Sequence, residues 1–191
     1  MAVEETVYSI ILYYQYCDIV EVDSLVEWHK DFCGRHNLCG RVLIAGEGIN
    51  GTLAGADASD IEAYKAVLQG KLGGPPIHWK HSVSTQSMAP FPDLYLRQVP
   101  EIINSGGRFS QERGPTGTYL SPTDFHEKLR DTPREDVLLL DIRNHKEVLL
   151  GTFEGAVDPE TRTFSEMAPW LDKHADAIRE AGAVMCFCTG G

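Results

Sequence analysis

The chain has 191 residues, 42% of them hydrophobic and 24% charged, and a formal net charge of −11. These are globular values, and no apolar run approaches the roughly 20 residues of a membrane helix, which excludes a helical membrane protein. The acidity is general, with 7 basic against 12 acidic side chains in residues 1–99 and 10 against 16 in 100–191, which speaks against a chain-wide basic nucleic-acid binder.

Residues Thr6 to Tyr14 are rich in β-branched and aromatic side chains and predict a strand. Asp23 to Arg35 follows with Leu25, Val26, Trp28 and Phe32 at helical spacing. Gly40 to Ala45 predicts a second strand, Gly46 to Asn50 a turn with positive φ at its glycines, and Ile49 to Ala54 a third strand. Ser59 and Glu62 form a capping-box pattern opening a helix to about Leu72, and Gly73-Gly-Pro-Pro76 ends it. Ile77 to Ser84 alternates as a fourth strand. The order β-α-β-β-α-β is the split βαβ plan of an α+β ferredoxin-like domain, assigned here to residues 1–99. Leu94 to Val99 adds a further strand, and residues 100–117, with Gly106-Gly107 and Gly114-Pro115, read as a linker.

A second module, 118–191, opens with Ser121 as N-cap, Pro122 at the first helical position and Asp124 in the first turn. Val137 to Leu140 is a short apolar run ending in Asp141, the pattern of a buried parallel strand. Asn144 to Leu150 predicts a helix, and Gly151 to Val157 returns to the sheet. Phe164 to Ala181 holds another helix, with Met167, Trp170, Leu171 and Ile178 as its buried side, and Ala183 to Phe187 is the last strand. The module is expected to be a parallel α/β sheet, incomplete at its C-terminus, because Cys188-Thr189-Gly190-Gly191 opens a Gly-rich loop after a strand where a helix should follow.

Parallel α/β sheets carry their chemistry at the carboxyl ends of strands. Asp141 with Arg143 marks one such end, and the loop from Cys188 marks another. Arg143 suits either an anionic substrate or a structural ion pair with Asp141, Glu147 or Glu154. A thiol at a helix N-terminus would have a lowered pKa. Cys186 reads as a small buried hydrophobe. Cys33 and Cys39, with His29 and His36 nearby, match no standard zinc spacing, so no metal site is expected. The five cysteines, with no basic leader at Met1 to Glu5, point to free thiols in the cytoplasm. Tyr13, Tyr14 and Trp79 could stack on bases but fit a sandwich core better. RNA contact would need a local patch, drawn from Arg41, Lys80, Arg97, Arg108 and Arg113.

The runs Asp141-Ile-Arg-Asn-His-Lys-Glu147, Gly151-Thr-Phe-Glu-Gly-Ala156 and Cys188-Thr-Gly-Gly191 resemble the rhodanese domain. With Gly40-Arg-Val-Leu-Ile-Ala-Gly-Glu-Gly-Ile-Asn50 and Gly117-Thr-Tyr-Leu-Ser121, the chain is similar to the oxygen-dependent tRNA uridine-hydroxylase family. That resemblance implies an acylphosphatase-like domain before a rhodanese-like one. It implies tRNA as partner, dioxygen as co-substrate with no other cofactor evident, and no membrane; the oligomeric state is not legible. Glu47 and Asn50 are then expected at RNA or at the partner domain. In the family the loop runs on past Gly-Gly to a catalytic cysteine, so this copy is expected to be inactive, with Cys188 matching a non-nucleophilic position. Thr152 stands where many rhodanese domains carry histidine. Sulfur transfer from thiosulfate or a persulfide, or a non-catalytic binding role, are the competing readings.

Overall fold

The computed structural model describes residues 5–86, 88–108 and 117–189. The chain divides into two compact units, Met1–Ile103 and Asn104–Gly191. Residues 109–116, including Arg113 and the Gly114-Pro115 part of the expected linker, lie outside the described residues. Among the described residues no helix is long and apolar enough to cross a membrane.

Unit 1 holds β1 (Thr6–Tyr16), α1 (Val22–Arg35), β2 (Cys39–Ala45), β3 (Gly48–Gly55), α2 (Ala58–Leu72), β4 (Lys80–Gln86) and β5 (Leu94–Gln98). The sheet order is β4-β1-β3-β2-β5; its first four strands are antiparallel, and β5 adds parallel to β2. This is the α+β ferredoxin-like plan with one extra edge strand. Strand alternation sends Ile11, Tyr13, Val42, Ile44, Ile49 and Leu53 to one face, where they meet Leu25 and Phe32 of α1 and Ile61, Tyr64 and Leu68 of α2. Each of these aliphatic side chains contributes about 1.5–3 kcal/mol through burial.

A chain of polar groups runs through that apolar core. His29 Nδ1 lies 2.7 Å from the Leu25 carbonyl, which can only accept, so Nδ1 carries the proton. Nε2, 2.9 Å from the Tyr64 hydroxyl, therefore accepts from Tyr64, whose oxygen in turn accepts from Tyr13. All three side chains are fully buried. Gly51 makes the space: a Cβ there would sit 2.5 Å from the Tyr13 hydroxyl oxygen. Trp28 stacks on Tyr64 and Trp79 packs against Tyr13, so Tyr13 and Trp79 are core as expected, whereas Tyr14 is 39% exposed.

Three local expectations in unit 1 are corrected. Asp57, not Ser59, caps α2, its carboxylate accepting from the Ser59 amide at 2.8 Å. β4 begins at Lys80 instead of Ile77, because the Ile77 amide donates to Gln69 Oε1 at 2.8 Å and its side chain is buried in the core. Of the two turn glycines only Gly48 takes positive φ, at 153°, where a Cβ would lie 2.2 Å from the Gln15 carbonyl oxygen.

Unit 2 holds α3 (Pro122–Asp131), β6 (Val137–Asp141), α4 (His145–Val148), α5 (Met167–Lys173), α6 (Ala175–Glu180) and β7 (Ala183–Phe187). Ser121 caps α3 as expected, accepting from the Asp124 amide at 3.2 Å. β6 and β7 pair in parallel, and Val157 adds a single parallel bridge at Leu140. The described sheet is this short ladder. Leu139, Leu140, Val148, Met167, Ala168 and Met185 form its buried apolar set. The helix expected over Phe164 to Ala181 is broken at His174, whose Nδ1 takes the Trp170 carbonyl at 2.7 Å while its ring stacks on Trp170. Trp170, Leu171 and Ile178 are half-buried, and only Met167 of the expected four is fully buried. Cys186 is exposed, not buried. It shares a strand face with Val184, which is 45% exposed, while Met185 turns into the core.

Candidate functional site

The residues singled out in unit 2 converge at the carboxyl end of β6 and β7. Asp141 closes β6 and is fully buried. The Ile142 amide donates to the Phe187 carbonyl at 3.1 Å, fixing the two strand ends together. The chain then turns, and the Arg143 side chain folds back. Its Nε donates to Asp141 Oδ1 at 2.9 Å and its Nη2 to Oδ2 at 2.6 Å, a two-pronged pair with the geometry that carboxylates and guanidinium groups match best. The same Nη2 also donates to the Gly151 carbonyl at 2.7 Å, and the guanidinium lies 5.7 Å from the centre of the Phe187 ring. Thr152 completes the set, its hydroxyl donating to Asp141 Oδ2 at 2.7 Å.

The electrostatics follow from that list. Burial pushes the Asp141 carboxyl up, but the hydrogen bonds from the Arg143 side chain, Thr152 and the Arg143 amide outweigh it and hold the group below the usual carboxylate range. Asp141 is therefore a fixed anion, and Arg143 its permanent partner. Three of the five guanidinium hydrogens are spent on Asp141 and Gly151. Of the two sequence alternatives for Arg143, the ion pair with Asp141 is the one observed. Together the pair ties the strand end at 141 to the returning segment at 151–152.

A second brace holds the start of the C-terminal loop. Asn144 caps α4, with the Glu147 side chain returning to its amide in a capping box. The other Glu147 oxygen accepts from the Thr189 hydroxyl at 2.6 Å. Cys188 is half-buried beside it. Gly190 and Gly191 lie outside the described residues. Behind the rim, Phe125, Phe153 and Phe187 pack edge to face or tilted, at 4.8–6.3 Å between ring centres. Asp141, Arg143 and Thr189 thus share one structural network, with Cys188 adjoining it. Thr152 and Phe187 are members that sequence reasoning did not assign. Thr152 had a signal, since the rhodanese resemblance expects a histidine there and its hydroxyl donates to Asp141; Phe187 had none beyond its place at the strand end.

Glu47 and Asn50 belong to unit 1. Glu47 Oε1 accepts from the Ile102 amide at 2.9 Å, and Asn50 Nδ2 donates to the Ile102 carbonyl at 3.2 Å. They clasp the segment that leaves β5 and bury Ile102. In unit 1 both ring nitrogens of His29 are bonded in the core, and burial pushes the Cys33 thiol up to about 12.

The UPF0176 acylphosphatase like domain matches residues 8–102. A tRNA uridine(34) hydroxylase of Oceanobacillus iheyensis is 34% identical over 188 residues, covering 96% of this chain and 55% of that protein. The Brucella ovis protein of the same name is 34% identical over 187 residues, covering 96% and 58%. That of Bacillus velezensis is 33% identical over 192 residues, covering 98% and 56%. The chain spans little more than half the length of these curated relatives. Among solved structures, an acylphosphatase from Coxiella burnetii aligns with 48% of this chain and 94% of its own at 14% identity, with a TM-score of 0.33.

Proposed function

Since this chain is a homologue of the tRNA uridine(34) hydroxylases through nearly its whole length, we propose that it serves oxygen-dependent hydroxylation of the wobble uridine in tRNA. The observation that supports this most is the unbroken match from the ferredoxin-like unit into the braced rim of unit 2, whose motifs resemble a rhodanese domain. In this reading dioxygen delivers one oxygen atom to C5 of the uracil ring. The other leaves as water, with two electrons and two protons from a reductant.

The residues of the rim hold the loop and the base-binding surface. Asp141 and Arg143 keep β6, β7 and the 151–152 segment in one arrangement, and Arg143 offers its Nη1 hydrogens to a substrate anion. Cys188 and Thr189 set the direction of the loop, tied through Glu147 to α4. Acting on a ring edge requires the base to leave its stack, and a rim presented on strand ends is suited to receive it.

Growth of cells under ¹⁸O₂, followed by mass analysis of position-34 nucleosides, tests the reading. The expected result is ¹⁸O in the hydroxylated uridine when the gene is present, and a severalfold loss of label when Asp141→Asn replaces it. Unlabelled hydroxyuridine, formed at an undiminished level, would mean that oxygen comes from elsewhere and that the proposal is wrong.

A further inference from the structure

The five strands of unit 1 contain no aspartate or glutamate, although the chain carries 28 acidic residues. Their three Lys and Arg residues, Arg41, Lys80 and Arg97, all fall on one face. The register shows this directly. Ile11, Tyr13 and their cross-strand partners Leu53 and Gly51 face the helices, so the residues between them face away. One row on that far side runs straight across the sheet: Lys80, Leu12, Thr52, Arg41, Tyr95. The next row runs Tyr14, Asn50, Leu43, Arg97.

Each row carries one aromatic ring and at least one cation. Arg41 and Arg97 lie 5.4 and 5.9 Å from the centre of the Tyr95 ring, and Arg97 Nη1 donates to the Tyr95 hydroxyl at 2.9 Å. Tyr95 is 44% exposed, Tyr14 39% and Tyr16 42%. Tyr14 and Tyr16 meet edge to face at 6.4 Å. Carboxylates approach the face at the Tyr16 corner, where burial first, then Glu47 and Glu101, push the phenol up. With adjacent strands about 4.8 Å apart, Lys80 and Arg41 stand roughly 14 Å from one another across the face. Tyr14 on β1 lies within that span and Tyr95 one strand beyond Arg41, so a short extended strand of nucleotides crossing the sheet meets both rings and the cations beside them.

We propose that the face of the unit 1 sheet opposite α1 and α2, beside the 101–103 segment held by Asn50, binds single-stranded RNA. Tyr95 and Tyr14 are the stacking rings, and Arg41, Arg97 and Lys80 hold the phosphates. The chemistry is general: bases stack on aromatic side chains of a sheet, and flanking cations follow the backbone. An anionic ligand also fits the charge contrast, since strands without a carboxylate, on a chain of net charge −11, repel such a ligand least. The choice of RNA over other nucleic acids rests on the tRNA reading above.

The test is fluorescence anisotropy of the 191-residue chain with a labelled RNA stem-loop and with a blunt duplex of the same stem. The stem-loop should bind more tightly than the duplex. With three phosphate contacts, log K should fall with log salt at a slope of about −2, and Arg41→Ala or Arg97→Ala should each reduce it by about 0.7. Tyr95→Ala should weaken stem-loop binding about 5- to 100-fold, while Tyr95→Phe, which keeps the ring, should bind as the native chain does. Thermal melts of each variant control for folding, and Arg41→Gln gives a second variant if Tyr95→Ala unfolds. Equal binding of stem-loop and duplex, native affinity in both Tyr95→Ala and Arg41→Ala, or a self-associating chain that Tyr95→Ala dissociates would overturn the proposal. The two readings fail separately. If wobble hydroxylation depends on the gene but these variants bind RNA normally, only the platform falls. If the variants lose RNA binding but hydroxylation never depended on the gene, only the hydroxylase reading falls.

Discussion

His29 is a neutral histidine locked by its surroundings. Burial pushes its pKa down to about 4, with the Leu25 carbonyl partly opposing and Lys71 reinforcing the shift. The unfolded chain takes up a proton near pH 6.5, which the folded core refuses until about pH 4. Stability from this residue is therefore complete above pH 6.5 and drains away as pH falls toward 4, by about 3 kcal/mol in all. Urea midpoints at pH 7 and pH 5 should show the loss in the native chain and a flatter response in His29→Gln. Asp141 behaves differently, because its carboxyl is held below the usual range. Its contribution is complete above about pH 4 and is lost only on further acidification. Asp141→Asn leaves Arg143 facing a neutral partner and should lower stability at neutral pH by about 3 kcal/mol. The gap between native and variant in denaturant midpoint should narrow below pH 4; a constant gap would show that the charge is not what matters.

The elements of unit 1 were legible because each strand and helix states its own period. β1 is rich in β-branched and aromatic residues, β2 carries the apolar run Val42 to Ala45, and α1 repeats its apolar positions at helical spacing. What misled at their ends was tertiary: Gln69 takes the Ile77 amide away from β4, and no local pattern announces that. The break at His174 is local instead, since the ring nitrogen and the backbone amide both bond carbonyls of the preceding turn. Within β3, Gly51 is the space that admits the Tyr13 phenol. Gly51→Ala should therefore cost about 1–3 kcal/mol through overpacking, despite alanine's lower entropic cost, and calorimetry would show a lowered Tm. An unchanged Tm would mean that the ring has somewhere else to go.

At the scale of the molecule, the two units differ in what holds them. Unit 1 has a continuous apolar core beneath its five-stranded sheet, whereas unit 2 rests on a two-stranded ladder, a few buried aliphatic residues and the polar brace around Asp141. Amide hydrogen exchange should accordingly protect β1, β2 and β3 more strongly than β6 and β7. The rim was half legible from sequence. Asp141 and Arg143 were visible because charged residues at a strand end stand out, and the return of residues 151–157 to the sheet was expected, but the bonds of Gly151 and Thr152 with the pair appear only in the fold. The sheet face with Arg41, Lys80 and Arg97 was visible as a list of cations and became a surface only when the register aligned them; Arg108, from the same list, pairs instead with Asp172 at 2.6 Å. The functional reading turns on tRNA, and its most direct measurement is the amount of 5-hydroxyuridine-type nucleoside at position 34 in tRNA from cells with and without this gene. The account predicts its loss in the deletion and its return on complementation with the intact gene. An unchanged level in the deletion strain, with no second gene able to supply the modification, would contradict it.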